Sequence, residues 1–100
     1  MSATQTYEAI GQAIPDAIAG QLFGKPCFKI NGKAFICFFR EAMVFKLNGK
    51  HHKAALNMEG SVLFDPSGKG RPMKEWVQVP FTHQDKWTDY ARAALAYIRQ

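Results

Sequence analysis

The stretch FGKPCFKINGKAFICFF, from Phe23 to Phe39, decides the fold, because an asparagine-glycine pair separates two runs of apolar residues. Asn31 and Gly32 accept the positive φ angles of a type I′ turn, and the β-branched and aromatic residues around them are typical of a β-hairpin. A second short turn at Arg40-Glu41 leads into AMVFKL. The sequence therefore predicts a three-stranded antiparallel meander that begins near Lys25 and ends near Leu47.

The two cysteines of this stretch are predicted to point to opposite faces of the meander. A two-residue turn pairs Cys27 with Ile36. The same turn pairs Cys37 with Pro26, and successive side chains of a strand alternate between faces. A disulfide would need a different register, with a three-residue loop. We therefore expect two small buried thiols rather than a redox pair.

Both faces of the meander are apolar in this register. An antiparallel sheet usually keeps one face polar, so the second apolar face needs helices, a partner or a ligand to cover it. We expect a homodimer that uses this second face or an adjoining strand edge. The first face carries Cys27, Ala34, Ile36, Phe38, Met43, Phe45 and Leu47. The second carries Phe28, Ile30, Phe35, Cys37, Phe39 and Val44, of which Phe28, Ile30, Phe35 and Phe39 are the candidate interface.

Helices are predicted before and after the meander along the chain. Near the N-terminus Tyr7, Ile10 and Ala13 recur at helical spacing, after Ser, Thr and Thr residues that can cap the first turn. The stretch 16–23 is interpreted as a helical turn followed by an extended lead-in. The last helix is expected to begin at a Thr82 cap. Its apolar stripe consists of Trp87, Tyr90, Ala91, Ala94, Leu95 and Ile98.

Between the meander and the last helix, the sequence predicts a short helix and a second hairpin. Asn48 is positioned to cap the helix, which Gly60 closes. The segments SVLF and MKEWVQVP flank the turn-rich DPSGKGRP and are predicted to pair. The whole chain, 1–100, is predicted to form one α+β domain of two layers, with a mostly antiparallel sheet and N-terminal, inserted and C-terminal helices.

Composition supports a single small domain. A chain of 100 residues with 47% hydrophobic and 21% charged residues is too short for two cores, and we expect its stability to depend partly on self-association. No apolar run approaches the roughly 20 residues of a membrane span, and the polar start lacks the features of a secretory signal. We expect a cytoplasmic protein.

The net charge of +5 allows an anionic partner without requiring one. The cations are scattered along the sequence, and the densest group lies in DPSGKGRPMK and the strand that follows. Lys69, Arg71, Lys74 and Trp76 are candidates for contact with a phosphate or a nucleic acid. The alternatives are a flexible turn with solvated cations and a Trp76 that packs in the core.

No catalytic or metal-binding constellation is visible in the sequence. His51 and His52 are adjacent, so on a helix they point about 100° apart, whereas chelating pairs usually lie four residues apart. The cysteines lie within apolar strands, which raise a thiol pKa. We expect no enzyme activity, no metal and no cofactor.

The chain resembles the TfoX N-terminal domain family. The resemblance rests on LFGKPCFKINGKAFICFF, AMVFKLN, GRPMKEWVQVP and DYARAALAYI, and covers about residues 17–98. It implies a compact α+β domain in which Gly32 is needed for its backbone angles and Phe23 anchors the core. It supplies no catalytic residue. The sequence thus favours a small non-enzymatic interaction or regulatory module acting as a homodimer through protein contacts, with nucleic-acid binding around Lys69 to Trp76 as the alternative.

Overall fold

A computed structural model describes all residues from Met1 to Gln100. Three helices pack on one face of a six-stranded antiparallel sheet, which confirms the predicted α+β class. The strand order is β1-β2-β3-β4-β6-β5, so β1 and β5 form the two edges. In chain order the elements are α1 (Ala3–Gln12), β1 (Ile18–Leu22), β2 (Lys25–Ile30), β3 (Lys33–Phe39), β4 (Ala42–Lys46), α2 (Gly49–Asn57), β5 (Val62–Phe64), β6 (Met73–Pro80), a 3-10 turn (Phe81–His83) and α3 (Gln84–Ile98).

The first helix begins with a capping box. The Ser2 hydroxyl accepts a hydrogen bond from the Gln5 backbone N–H, and the Gln5 side chain accepts one from the Ser2 backbone N–H. Beyond this helix the interpretation of 16–23 is wrong in its helical turn, whereas the extended part is confirmed. The residues from Ile18 to Leu22 form strand β1, which pairs with β2 instead of forming a helical turn.

Strands β1 to β4 form a meander joined by three two-residue turns. The predicted turns at Asn31-Gly32 and Arg40-Glu41 are confirmed, with φ angles of 50° and 78° in the first and 49° and 63° in the second. A further turn at Phe23-Gly24 has φ angles of 52° and 73° and adds β1 to the predicted three strands. Positive φ angles at both turn residues match the right-handed twist of the flanking strands.

The predicted separation of the two cysteines is wrong. Cys27 and Cys37 lie opposite each other as a cross-strand pair, and both are free thiols. The cause is a β-bulge: Phe28 pairs with Ile36 while Lys29 pairs with Ala34, which leaves Phe35 as the extra residue. One inserted residue shifts every pair beyond it by one and so reverses which face β2 presents.

The bulge also reassigns the predicted interface. Phe28, Ile30 and Phe35 point to the same face as Ile36 and are buried beneath the helices. Among the candidate interface residues, only Phe39 lies on the opposite face. The register from β3 to β4 is confirmed, because Ile36, Phe38, Met43 and Phe45 share the helix-covered face.

The last helix starts later than expected. A 3-10 turn (Phe81–His83) comes first, so the residue before α3 is His83 and the predicted Thr82 cap is wrong. The apolar stripe is confirmed, since Trp87, Ala91 and Ala94 are fully buried and Tyr90, Leu95 and Ile98 pack against the same core. Burying a large apolar side chain contributes about 1.5–3 kcal/mol, so this stripe fixes α3 to the sheet.

The sheet face without helices has an apolar cluster of its own. This helix-free face is defined by Cys27, Cys37, Val44, Phe64 and Trp76, all buried, and no helix residue belongs to the cluster. Phe64 packs against Phe39 and Trp76, with ring centroids 5.4 and 6.5 Å away. Both faces of the sheet are therefore apolar at their centre, as the sequence predicts, and the chain covers both.

Candidate nucleic-acid interface

The four residues proposed for anion contact do not share one environment. Lys69, Arg71 and Lys74 are exposed, in the loop between β5 and β6 and at the start of β6. Trp76 is only 5% exposed and belongs to the cluster of the helix-free face. A base cannot stack on a ring that is covered on both sides, so Trp76 supports the sheet and the three cations remain at the surface.

The loop that carries these cations is organised by Asp65. Its carboxylate accepts hydrogen bonds from the Ser67 hydroxyl and from the backbone N–H groups of Ser67, Gly68, Gly70 and Arg71. These bonds, first of all that of the Ser67 hydroxyl, hold the pKa of Asp65 below its ordinary value. The backbone donors that would cradle a phosphate are therefore occupied, and an anion would meet the side chains of the loop.

Further cations from the strands lie on the same side of the sheet. Lys46 pairs with Trp76 across β4 and β6, and it lines a groove together with Lys74. Lys29 pairs with Ala34, which packs against the helix-free cluster, and its charge lowers the pKa of Cys27 in opposition to the larger effect of burial. The strands thus place on one face cations that are far apart in the sequence.

Phe39 holds two more cations at this surface. The Lys25 Nζ atom lies 5.1 Å from the centroid of the Phe39 ring, and the Arg40 Cζ atom lies 5.0 Å from it. Cation–π contacts at exposed sites contribute about 0.5–1 kcal/mol each. Phe39, predicted as an interface residue, therefore positions cations. We call the combined set the basic surface: Lys25, Lys29, Arg40, Lys46, Lys69, Arg71 and Lys74.

Four of the eight carboxylates lie on the helical side. Glu8 belongs to α1, and Asp85 and Asp89 belong to α3. Glu75 of β6 accepts a hydrogen bond from the Tyr97 hydroxyl of α3, and it also lines the groove of Lys46 and Lys74. Asp65, on the basic side, is engaged by its own loop. The helical side mixes charges of both signs, whereas the helix-free side is dominated by cations.

An exposed aromatic ring stands beside the basic surface. Phe23 is 60% exposed, so the prediction that it anchors the core is wrong. It occupies the first position of the β1–β2 turn with a φ of 52°, a left-handed conformation that is costly for a bulky residue. Together with Pro66, Ser67, Arg71 and Met73 it lines a groove between this turn and the Asp65 loop. An unfavourable backbone that presents an apolar ring to solvent is typical of a binding site.

The histidines and cysteines do not assemble a reactive centre. The Nε2 atoms of His52 and His83 each lie 2.7 Å from a backbone carbonyl oxygen, of Lys74 and Glu59 respectively, and so connect α2 to β6 and the 3-10 turn to the loop after α2. Burial raises the pKa of both thiols, which keeps them protonated at neutral pH. No three His, Cys, Asp or Glu side chains are grouped so that they could hold a metal ion. No helix is long and apolar enough to cross a membrane.

Comparison with known proteins returns no match to a family model, to a curated protein or to a solved structure. The case for function therefore depends on the site itself. Sequence reasoning found Lys69, Arg71 and Lys74 but missed the cations of the strands. The sequence signal for these cations is weak. Lys25 and Lys29 are each two residues from Cys27 and so lie on the same face of the strand as Cys27, but they can be placed only once the face of Cys27 is known.

Proposed function

We propose that this protein is a non-catalytic nucleic-acid-binding module that holds a single strand across its basic surface. The observation that carries the proposal is the segregation of charge. Cations from β2, β4, the β3–β4 turn and the Asp65 loop lie on the helix-free side, whereas four of the eight carboxylates, those of Glu8, Glu75, Asp85 and Asp89, lie on or against the helices. A field of one sign attracts a polyanion and raises its association rate.

The basic surface is costly without an anion. Lys25, Lys29 and Lys46 are half-buried, so their charges are screened less by water than those of freely exposed lysines. Lys46 and Lys74 line one groove together with Glu75, whose carboxylate offsets part of the repulsion between the two lysines. Backbone phosphates would neutralise these charges and release their own counterions, which is the main source of affinity in such complexes.

A single strand suits this surface better than a duplex. The helix-free side has no helix that could enter a major groove, which is the usual element for reading a duplex. It offers cations and the exposed ring of Phe23. Bases that are not paired can stack on such a ring while cations follow the phosphates. With molecular extents of 31 × 30 × 27 Å, one copy spans at most about nine nucleotides at ~3.4 Å each.

Self-association is a second proposal, carried over from the sequence. The apolar face first expected to mediate it is covered within the chain, because Phe28, Ile30 and Phe35 are each 5% exposed or less. What supports a dimer is the open edge of the sheet at β1. Membership of the TfoX N-terminal domain family, a regulatory role and a cytoplasmic location are likewise proposals that rest on the sequence.

The binding proposal is tested by fluorescence anisotropy with labelled oligonucleotides of about 10 and 20 nucleotides, single-stranded and duplex. We expect tighter binding to the single strands and a steep loss of affinity between about 50 and 200 mM salt. With about five phosphate contacts, the logarithm of the affinity should fall against the logarithm of salt with a slope near −3.5.

A matched pair of double variants separates the basic surface from net charge. Lys46→Gln with Lys74→Gln removes two charges from the basic surface, and Lys50→Gln with Lys53→Gln removes two from α2. The first pair should weaken binding and reduce the salt slope by about 1.4, whereas the second should change binding little. Equal effects of both pairs, or binding to vesicles of anionic lipid with none to nucleic acid, would refute the proposal.

A further inference from the structure

The two edges of the sheet differ in how well they are protected. An edge strand exposes backbone N–H and C=O groups, and proteins usually guard them with charges, proline or a very short strand. β5 has three residues and is soon followed by Pro66. β1 has five residues, IAGQL, with no charge and no proline. Its Ile18 is 71% exposed, which is the highest exposure of any large apolar side chain in a strand.

The pairing of β1 with β2 determines which backbone N–H and C=O groups of β1 point away from the sheet. Leu22 and Lys25 flank the two-residue turn and form its hydrogen-bonded pair. Bonding to β2 then alternates, so Leu22, Gly20 and Ile18 point their N–H and C=O groups inward. Ala19 and Gln21 point theirs away from the sheet.

We infer that β1 pairs with β1 of a second copy of this chain, antiparallel and centred on Gly20. In this register Ala19 of one copy lies opposite Gln21 of the other, and the two-fold axis repeats the pair. Both outward-pointing residues of each copy then exchange their backbone hydrogen bonds. The interface is isologous and closed, so it forms a dimer and leaves no further strand to extend. This inference deepens the proposed self-association and does not depend on nucleic-acid binding.

Side chains at the same edge fit this register. Ile18 of one copy faces Leu22 of the other on the helix-free face, because residues 18, 20 and 22 share that face. Leu22 already packs against the cluster of that face, so the contact extends an existing apolar surface. Gly20, at the axis, leaves space that the Lys29 side chain uses: the Lys29 Cε atom lies 3.3 Å from where a Cβ of residue 20 would be.

The dimer would join the two basic surfaces into one. An axis through the Gly20 pair stands perpendicular to the sheet, so both helix-free faces point the same way. Lys29 of each copy lies close to the axis, where the two charges repel. Salt screens this repulsion, so higher salt should strengthen the dimer while it weakens nucleic-acid binding. Because salt affects the dimer and nucleic-acid binding in opposite directions, the two proposals can be distinguished.

The test is sedimentation equilibrium of the whole chain without nucleic acid, from about 1 to 500 µM, since an edge-to-edge contact is small and its affinity modest. Ala19→Pro removes one outward N–H and should weaken the dimer by about tenfold or more, because proline cannot donate a hydrogen bond. Ile18→Lys places a charge opposite Leu22 and should act in the same direction. Val62→Lys makes the matching change on β5 and should leave the dimer intact.

The outcomes are separable. A wild-type dimer that dissociates with Ile18→Lys and Ala19→Pro but not with Val62→Lys supports the β1 pairing. A dimer that none of these changes weakens overturns the β1 pairing and leaves self-association standing, through another surface. A monomer at every concentration overturns both. Circular dichroism shows whether Ala19→Pro folds, and Ile18→Lys, whose side chain is exposed, provides the result if it does not.

Discussion

Cys27 and Cys37 lie directly opposite each other on neighbouring antiparallel strands, and both are buried as free thiols. Alternation from the Arg40-Glu41 turn makes Cys37 a hydrogen-bonded partner of Val44, so its other side forms a non-hydrogen-bonded pair with Cys27. Opposing Cα atoms in such a pair are about 4.5 Å apart, within the range that a disulfide spans. The positions of the two residues would permit a disulfide bond. Burial raises the pKa of both thiols and so keeps them protonated.

The first prediction concerns the reactivity of these thiols. At neutral pH a disulfide reagent should react slowly with the folded protein, because the nucleophile is the thiolate and access requires opening of the sheet. In denaturant both thiols should react at once. Thiol titration by absorbance, with and without denaturant, measures the difference. Fast reaction of either cysteine in the folded state would contradict the burial described above.

The second prediction is a loss of stability in alkali. Burial raises the pKa of Cys37 above its ordinary 9.0 and that of Tyr7 above its ordinary 10.0. Above pH 9 the unfolded chain releases the Cys37 proton, and above pH 10 the Tyr7 proton, while the folded chain retains both, so the free energy of unfolding falls with rising pH, by up to about 1.4 kcal/mol per pH unit for each group. Below pH 9 these groups have no such effect.

Urea unfolding between pH 8 and about 10.5 measures this slope. Cys37→Ala removes one of the groups, so its stability should depend less steeply on pH in the same range. The half-buried Tyr97, whose pKa is raised mainly by its hydrogen bond to Glu75, provides a comparison as Tyr97→Phe. An unchanged slope in Cys37→Ala would show that this thiol ionises equally in both states.

The third prediction is that Gly11→Ala destabilises the protein. In a helix this change usually gains about 1 kcal/mol. Here the added Cβ would overlap the ring of Phe28, which is buried and packed 5.4 Å from the ring of Tyr7. Overpacking costs about 1–3 kcal/mol, so the loss exceeds the gain. The exposed neighbour provides the control: Gln12→Ala should have little effect on the urea midpoint.

The fourth prediction separates stability from binding at Phe23. Phe23→Asn places a residue that tolerates a left-handed backbone at φ 52°, and it removes a ring that is mostly exposed. The free energy of unfolding should stay equal or rise by about 1 kcal/mol. Affinity for a single strand should fall about fivefold or more, the value of one stacked base.

Phe23→Trp retains an aromatic ring at the same position. It should preserve binding without the gain in stability. If Phe23→Asn leaves the affinity unchanged, base stacking at this turn is refuted, and the basic surface would have to act through its cations alone.

The parts of the fold that local chemistry determines were predictable. Asn31-Gly32 favours one turn type, and the stripe of Trp87, Ala91 and Ala94 has a helical period, so both predictions are confirmed. The bulge at Phe35 was not, because it depends on how two strands share hydrogen bonds rather than on any residue preference. β1 was missed for a related reason: IAGQL has little strand propensity, and its turn uses Phe23 at a φ that phenylalanine rarely adopts.

The candidate site was only partly predictable. Lys69, Arg71 and Lys74 are close in sequence, but Lys25, Lys29 and Lys46 share their side of the sheet only through pairing between distant strands. The single-residue shift at the bulge also decides which side of β2 is exposed. Without the bulge, alternation assigns Phe28 to the predicted interface. In the structure Phe28 lies beneath the helices and Cys27 lies on the helix-free face.

The meander of three tight turns has a consequence for the order in which the molecule forms. Its contacts are nearly all between neighbours in the chain, so strands β1 to β4 can associate on the timescale of hairpins. The side chains that cover Met43 and Phe45 come from β6 and α3, which the ribosome makes after the meander. During synthesis the apolar face that carries Met43 and Phe45 therefore stays exposed until Trp87 and the rest of α3 have been made. That interval is when a chaperone would bind it.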